Sequence, residues 1–269
     1  MQILNYERIS SSPHPRCWMF FIHGFLGTGA NWRSFARKLV EAKPTMGAVL
    51  IDMRLHGKSQ DFLAPHSISS AAQDLIKLAH EFNEPVRAIL GHSLGAKVAL
   101  KFVELFHENL DIAWLLDFAP WASNKKNSSY IYNILDILEN LKNTSFYSIQ
   151  DFVNILKSHN ISQEIAQWLA MNLNFNNTNY YLYIDPTKLR DLLDNYYACD
   201  LIHVLSKPMR TQINFGLGAK SETLSQRDQT RIASLVKHTH VFENAGHYIH
   251  VDSPQELLSQ VIYTLRNLE

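Results

Sequence analysis

The chain has 269 residues, 46% of them hydrophobic and 19% charged, with 25 lysines and arginines against 25 aspartates and glutamates. That size and apolar content suit one large α/β domain, or a core carrying an insertion. The formal net charge of zero argues against nucleic acid or an anionic membrane and for a small-molecule partner.

From the N-terminus, ILNYERI predicts an antiparallel edge strand, and CWMFFI (17–22) a buried strand too short to cross a bilayer. The stretch before it lacks a basic n-region and an apolar core of signal-peptide length, and Cys17 and Cys199 make neither a disulfide framework nor a zinc pattern. The expectation is a cytoplasmic protein with no integral membrane segment. The triplets Asn127-Ser128-Ser129 and Asn143-Thr144-Ser145 then read as chance glycosylation matches. A helix is predicted over 31–42, a strand over 48–53 (AVLIDM), a helix over 69–82 and a strand over 87–90 (RAIL). A helix over 94–107 and a strand over 113–118 (AWLLDF) follow. This alternation is the signature of a parallel sheet wrapped by helices.

Between 121 and 205 the rhythm breaks. Apolar spacing predicts helices near 129–142, 149–158 and 161–173, a polar stretch NFNNTNYYLYID, and a helix at about 186–195. Strands at 210–215 (RTQINF) and 240–244 (HVFEN) and helices at 225–236 and 254–268 restore the pattern. Ser253 is the expected N-cap of the last helix, with Pro254 at its first position. The organisation expected is a core of 1–120 and 206–269, with 121–205 inserted as a helical lid.

The first chemical signal is GHSLG (91–95). Gly-x-Ser-x-Gly acquires meaning when a strand leads into it and a helix leaves it, as here. Such a turn lifts the Ser93 hydroxyl above the sheet edge, beside a helix N-terminus that favours an anion. A serine needs a base, and among 13 histidines position selects His247, in NAGHYIH after the last strand. His250 is its rival. His92 is expected to pack and make a backbone hydrogen bond, and His23 and His56 to brace loops. The oxyanion donors expected are the N–H of Leu94, next after the serine, and of Phe25 in the loop HGFLG. No spacing suggests a metal, and the chemistry needs no cofactor.

With these motifs in hand, the chain resembles the α/β-hydrolase superfamily from about residue 17 onward. Within it, the chain is most similar to small esterases of the abhydrolase-domain-11 type and to related bacterial serine carboxylesterases. FIHGFLGTGANW, DMRLHGKS, GHSLGAK and NAGHYIHVDSPQ carry the likeness, although Leu55 stands where that group has Asn, and Leu94 and Ala96 where it usually has Met and Gly. The resemblance implies a mostly parallel twisted sheet flanked by helices, with a helical lid after the sixth strand. It also implies a triad acid. Asp117 matches the group's Ile-Asp-Ile-Ala-Pro block, while the commoner superfamily position falls on Ser221, with Glu222 the alternative acid beside it. Asp52 and Arg54 are expected to pair with backbone or with each other. Leu26, Trp121 and Tyr248 are expected to line an acyl pocket.

The activity expected is hydrolysis of carboxylic esters, or thioesters, of short-to-medium acyl chains through an acyl-enzyme. The alternatives are an acyl-carrier-protein ester hydrolase, a cofactor-free lyase on the same triad, or a ligand-binding relative that does not hydrolyse. Nothing in the sequence sets an oligomeric state.

Overall fold

The computed structural model describes residues 2–123 and 130–268; the Asn127–Ser129 triplet and the first residue of the helix expected at 129 lie outside them. In chain order the strands are β1 (Tyr6–Ile9), β2 (Cys17–Ile22), β3 (Met46–Ile51), β4 (Val86–His92), β5 (Ile112–Leu116), β6 (Ser145–Phe146), β7 (Leu173–Phe175), β8 (Tyr180–Leu182), β9 (Gln212–Gly218) and β10 (His238–Phe242). Seven of them form one sheet in the order β1-β3-β2-β4-β5-β9-β10. Every pairing is parallel except β1 against β3, so ILNYERI supplies the antiparallel edge.

The sheet is buried on both faces, as parallel sheets are. In β2, Trp18, Phe20 and Ile22 enter one apolar cluster while Cys17, Met19 and Phe21 enter the other, the period-two alternation of a strand. Helices α1 (Arg33–Ala42) and α10 (Pro254–Thr264) cover one face through Phe35, Leu39, Leu257 and Val261. Helices α2 (Ile68–Ala79), α3 (Leu94–Phe106) and α8 (Gln226–Leu235) cover the other through Leu75, Val98, Phe102 and Ile232. A single turn of α-helix, α9 (Ile249–Asp252), follows β10.

Between β5 and β9 lies the helical insertion: α4 (Tyr130–Leu141), α5 (Ile149–Ser158), α6 (Gln163–Leu169) and α7 (Pro186–Ala198). It leaves after β5, by chain order the fifth strand, where the resemblance counts a sixth. Its Leu135, Leu138, Phe152 and Leu189 belong to the same apolar cluster as α2 and α3, so its packing is continuous with that face of the core. Local chemistry fixes its boundaries. Ser148 and Asp151 form a reciprocal capping box on α5, and Asp185 caps α7 at the Thr187 N–H with Pro186 at the first position. The polar stretch is no featureless loop: β7 and β8 pair across it and β6 joins them in a three-stranded antiparallel sheet. Ser253 does precede α10, but its side chain makes no capping bond.

Candidate active site

The turn after β4 shows why glycines flank Ser93. A Cβ on Gly91 would sit 2.3 Å from the Gly95 carbonyl oxygen, and one on Gly95 2.3 Å from the carbonyl oxygen of His23. Helix α3 thus packs directly on the backbone that follows β2, at a separation only glycine permits. Ser93 itself is held at φ 54°, ψ −115°, a conformation L residues avoid. Its N–H is tied to the Leu116 carbonyl at 2.8 Å and its carbonyl accepts from Ala96 and Lys97, so the turn is secured on both sides. Leu94 opens α3, and its N–H therefore has no intrahelical acceptor.

The loop after β2 borders the same point, since a Cβ on Gly24 would lie 3.6 Å from Cβ of Ser93. Gly24 to Gly27 form a turn closed by the Gly27 N–H on the Gly24 carbonyl, with Leu26 at φ 60° in its third position. That positive φ is the type II pattern, and it leaves the N–H of Phe25, in second position, outside the turn's own hydrogen bond. Two contacts stiffen the loop. His23 Nε2 accepts from the Met53 N–H, so its Nδ1 carries the proton and donates to the Gly24 carbonyl at 2.7 Å. From the insertion, Asn172 Nδ2 donates to the Leu26 carbonyl at 3.2 Å, with Asn172 only 1% exposed.

Asp117 follows β5 rather than ending it. The strand stops at Leu116 and Asp117 turns at φ 49°, its N–H on the Gly216 carbonyl. The carboxylate is wholly buried and its bonds account for the burial. Oδ1 accepts from the Gly218 N–H at 3.1 Å, and Oδ2 accepts from Ser221 Oγ at 2.5 Å and from His247 Nδ1 at 2.7 Å. Because a carboxylate only accepts, Nδ1 holds a proton, and in the neutral ring Nε2 is the nitrogen with the free lone pair. Among the described residues no hydrogen bond joins His247 to the Ser93 hydroxyl; such bonds commonly tighten only with substrate bound. Glu222, the alternative acid, is exposed.

The other histidines have different work. His92 is buried and donates from Nε2 to the His247 carbonyl at 2.8 Å. His250 packs its ring 4.5 Å from that of Trp32 and has no share in Asp117. His56 donates from Nδ1 to the Arg54 carbonyl. Burial is the main cause that holds all four of these imidazoles neutral: it pulls His23 and His250 down to about 4, His56 to about 3, and His92 well below the ordinary value.

Asp52 and Arg54 do not pair with each other. Asp52 accepts from the Gly29 and Lys58 N–H groups and from Asn5 Nδ2, tying the loop of DMRLHGKS to the first strands. Arg54 Nε bonds Asp74 at 2.7 Å and its Nη1 the Pro65 carbonyl at 2.8 Å. Of the expected pocket residues, Leu26 is buried and Tyr248 is 47% exposed beside the rings of His92 and His247. The Trp121 ring is covered by the Arg231 guanidinium at 4.1 Å. The sequence marks Ser221 as the residue at the commoner acid position but gives it no role, and it does not mark Tyr196. Ser221 had a signal, a hydroxyl where the superfamily usually has a carboxylate. Tyr196, 9% exposed, has the Ser93 side chain and the Asp117 charge among its neighbours, and no motif marks it.

Residues 19–260 match the alpha/beta hydrolase family. The chain belongs to that family. An abhydrolase domain-containing protein of Schizosaccharomyces pombe is 25% identical over 98% of this chain and 97% of its own length. The esterase YbfF of Escherichia coli is 21% identical, covering 94% of each chain. Among solved structures, a marine microorganism esterase superposes with a TM-score of 0.82 at 20% identity, over 98% of this chain and all of that one. That last likeness speaks for the fold. Among the described residues, no helix is long and apolar enough to cross a membrane.

Proposed function

We propose that this hydrolase is a serine esterase of the abhydrolase-domain-11 type, cleaving carboxylic esters, thioesters included, through an acyl-enzyme. The observation that carries the reading is the Asp117–His247 bond of 2.7 Å, set beside a serine held in a strained turn. Residues 1–120 and 206–269 form its core and 121–205 its lid, and its setting is the cytoplasm.

In this reading His247 Nε2 takes the Ser93 proton as Oγ forms its bond to the ester carbonyl carbon. The carbonyl π pair moves to oxygen, and the resulting oxyanion is met by the Phe25 and Leu94 N–H groups. The alkoxide leaves with the proton from His247, and water repeats the sequence to release the acid. Asp117 holds the Nδ1–H tautomer and stabilises the imidazolium while it exists. Ser221 and Gly218 keep that carboxylate in place. Leu26, Trp121 and Tyr248 border the acyl crevice, and the preference is for short-to-medium acyl chains.

A p-nitrophenyl ester series from acetate to decanoate tests the reading. The expectation is saturable hydrolysis with kcat/KM highest in the shorter half of the series, the short-to-medium preference that the family resemblance implies. Absence of turnover across the whole series, with the protein folded, removes it.

A further inference from the structure

Lys97 lies one turn into α3 from Ser93 and is 2% exposed. Among the described residues no carboxylate bonds its ammonium. A buried charge without a counter-charge is costly, and an apolar side chain would avoid that cost. Three donors meet three main-chain carbonyls instead: Nζ to Trp121 at 3.1 Å, Tyr196 at 2.8 Å and Cys199 at 3.0 Å. Nζ also stands 4.6 Å from the centre of the Tyr196 ring, a cation–π contact.

These carbonyls have a place in the topology. Trp121 is where the chain departs into the insertion, and Tyr196 and Cys199 close it at the end of α7. The two stems are themselves paired, Leu201 N–H to the Pro120 carbonyl and Ser123 N–H to the Tyr197 carbonyl, both at 2.8 Å. Lys97 therefore fastens both stems to the helix that begins at Ser93. Tyr196, whose ring carries that cation–π contact, has the Ser93 side chain among its neighbours.

We propose that Lys97 is a positioning residue for the esterase reaction, clasping both stems of the insertion so that the phenol of Tyr196 is held at the Ser93 hydroxyl. The inference rests on Ser93 being the nucleophile. Tyr196 is then the insertion's direct contribution to the reacting centre. Burial raises its pKa, so the phenol stays protonated and acts as a hydrogen-bond donor. With the Ser93 side chain among its neighbours, it donates to the ester's alkoxy oxygen as charge gathers there. Lys97 touches no reacting atom.

The test is a double-mutant cycle with Tyr196→Phe, Lys97→Met and the double variant, reading kcat, KM, the rate at which a fluorophosphonate labels Ser93, and Tm. Each single variant is expected to lose ~10-fold in kcat/KM, mainly in kcat, the size of one hydrogen bond to developing charge. The double variant is expected within about 2-fold of the worse single one, because both remove one function. Losses that multiply, or a Lys97→Met variant that loses Tm but no kcat, overturn the inference. So does a Tyr196→Phe variant with unchanged kinetics. Should Lys97→Met not fold, Lys97→Gln keeps two donors and takes its place in the cycle. A wild-type protein that no fluorophosphonate labels would refute the esterase reading instead. Amide exchange at Ser123 and Leu201 then decides the clasp, which predicts faster exchange in the Lys97 variant and is contradicted by no change.

Discussion

His247 Nδ1 and Asp117 Oδ2 are joined over 2.7 Å across 130 residues of sequence, and Asp117 is completely enclosed where they meet. That bond separates the two candidate acids. Asp117→Asn presents an amide that disfavours the Nδ1–H tautomer, and kcat is expected to fall ~10³–10⁴-fold with the protein still folded. Glu222→Gln, on an exposed side chain, is expected to change kcat by less than about 2-fold, as surface substitutions away from a site do. Steady-state kinetics on one p-nitrophenyl ester reads both, and the reverse pattern moves the acid to the later loop.

Ser221 donates to the same Asp117 oxygen as His247 at 2.5 Å. Ser221→Ala removes one charge-assisted bond, and a loss of ~10-fold in kcat is expected with KM little changed. An unchanged kcat would mean that Gly218 and His247 suffice to hold the carboxylate.

The sheet was legible because its strands are apolar runs of strand length and its helices carry apolar residues at helical spacing. Ser93 and His247 were legible because the elbow and the final loop have fixed places relative to those elements. Asp117 was less so, since AWLLDF reads as strand to its end, whereas the backbone turns to φ 49° right after Leu116. The pairing of β7 with β8 was hidden by short strands around an asparagine-rich turn, where neither period two nor apolar content accumulates. Tyr196 fell one residue beyond a helix expected to end at 195. Long-range contacts such as Lys97 with Tyr196 leave no mark in local periodicity.

Asn172 ties the insertion to the loop that carries Phe25, through the Leu26 carbonyl at 3.2 Å. Asn172→Leu keeps the branching of the side chain and removes the donor. It is expected to lower kcat several-fold to ~10-fold with KM nearly constant, since the oxyanion donor proposed at Phe25 would act in the transition state. Weaker inhibition by a trifluoromethyl ketone, in the same ratio as kcat, is the accompanying result. A change confined to KM would place Asn172 in substrate binding instead.

Gly95→Ala would push a methyl to within 2.3 Å of the His23 carbonyl oxygen and 2.8 Å of that of Ile22. Both are backbone atoms, so α3 must shift away from the loop that carries Phe25. Overpacking of this kind costs about 1–3 kcal/mol, visible as a lower denaturation midpoint, and activity is expected to fall further than stability. Wild-type stability and activity in this variant would contradict the packing described.

Four buried neutral histidines set a pH dependence. His23 and His250 are held near 4 and His56 near 3, with His92 well below its ordinary value of 6.5. In the unfolded chain all four take up protons near pH 6.5. Between pH 6.5 and about 4 the unfolded state binds protons that the folded state refuses, so stability is full above that window and falls as pH drops through it. By pH 4.5 each of His23, His56 and His250 contributes on the order of 1–3 kcal/mol to that fall, and His92 adds to it in the same direction. Tm measured from pH 7.5 down to 4.5 is expected to decline steeply below 6.5; a flat profile contradicts the burial of these rings as neutral groups.

The central claim is that Ser93 is the nucleophile, and covalent labelling tests it most directly. A fluorophosphonate incubated with the folded protein, followed by peptide mapping by mass spectrometry, is expected to place one adduct on Ser93. That adduct and the esterase activity should disappear together in Ser93→Ala. An adduct on another residue, or esterase activity that survives in Ser93→Ala, would contradict it.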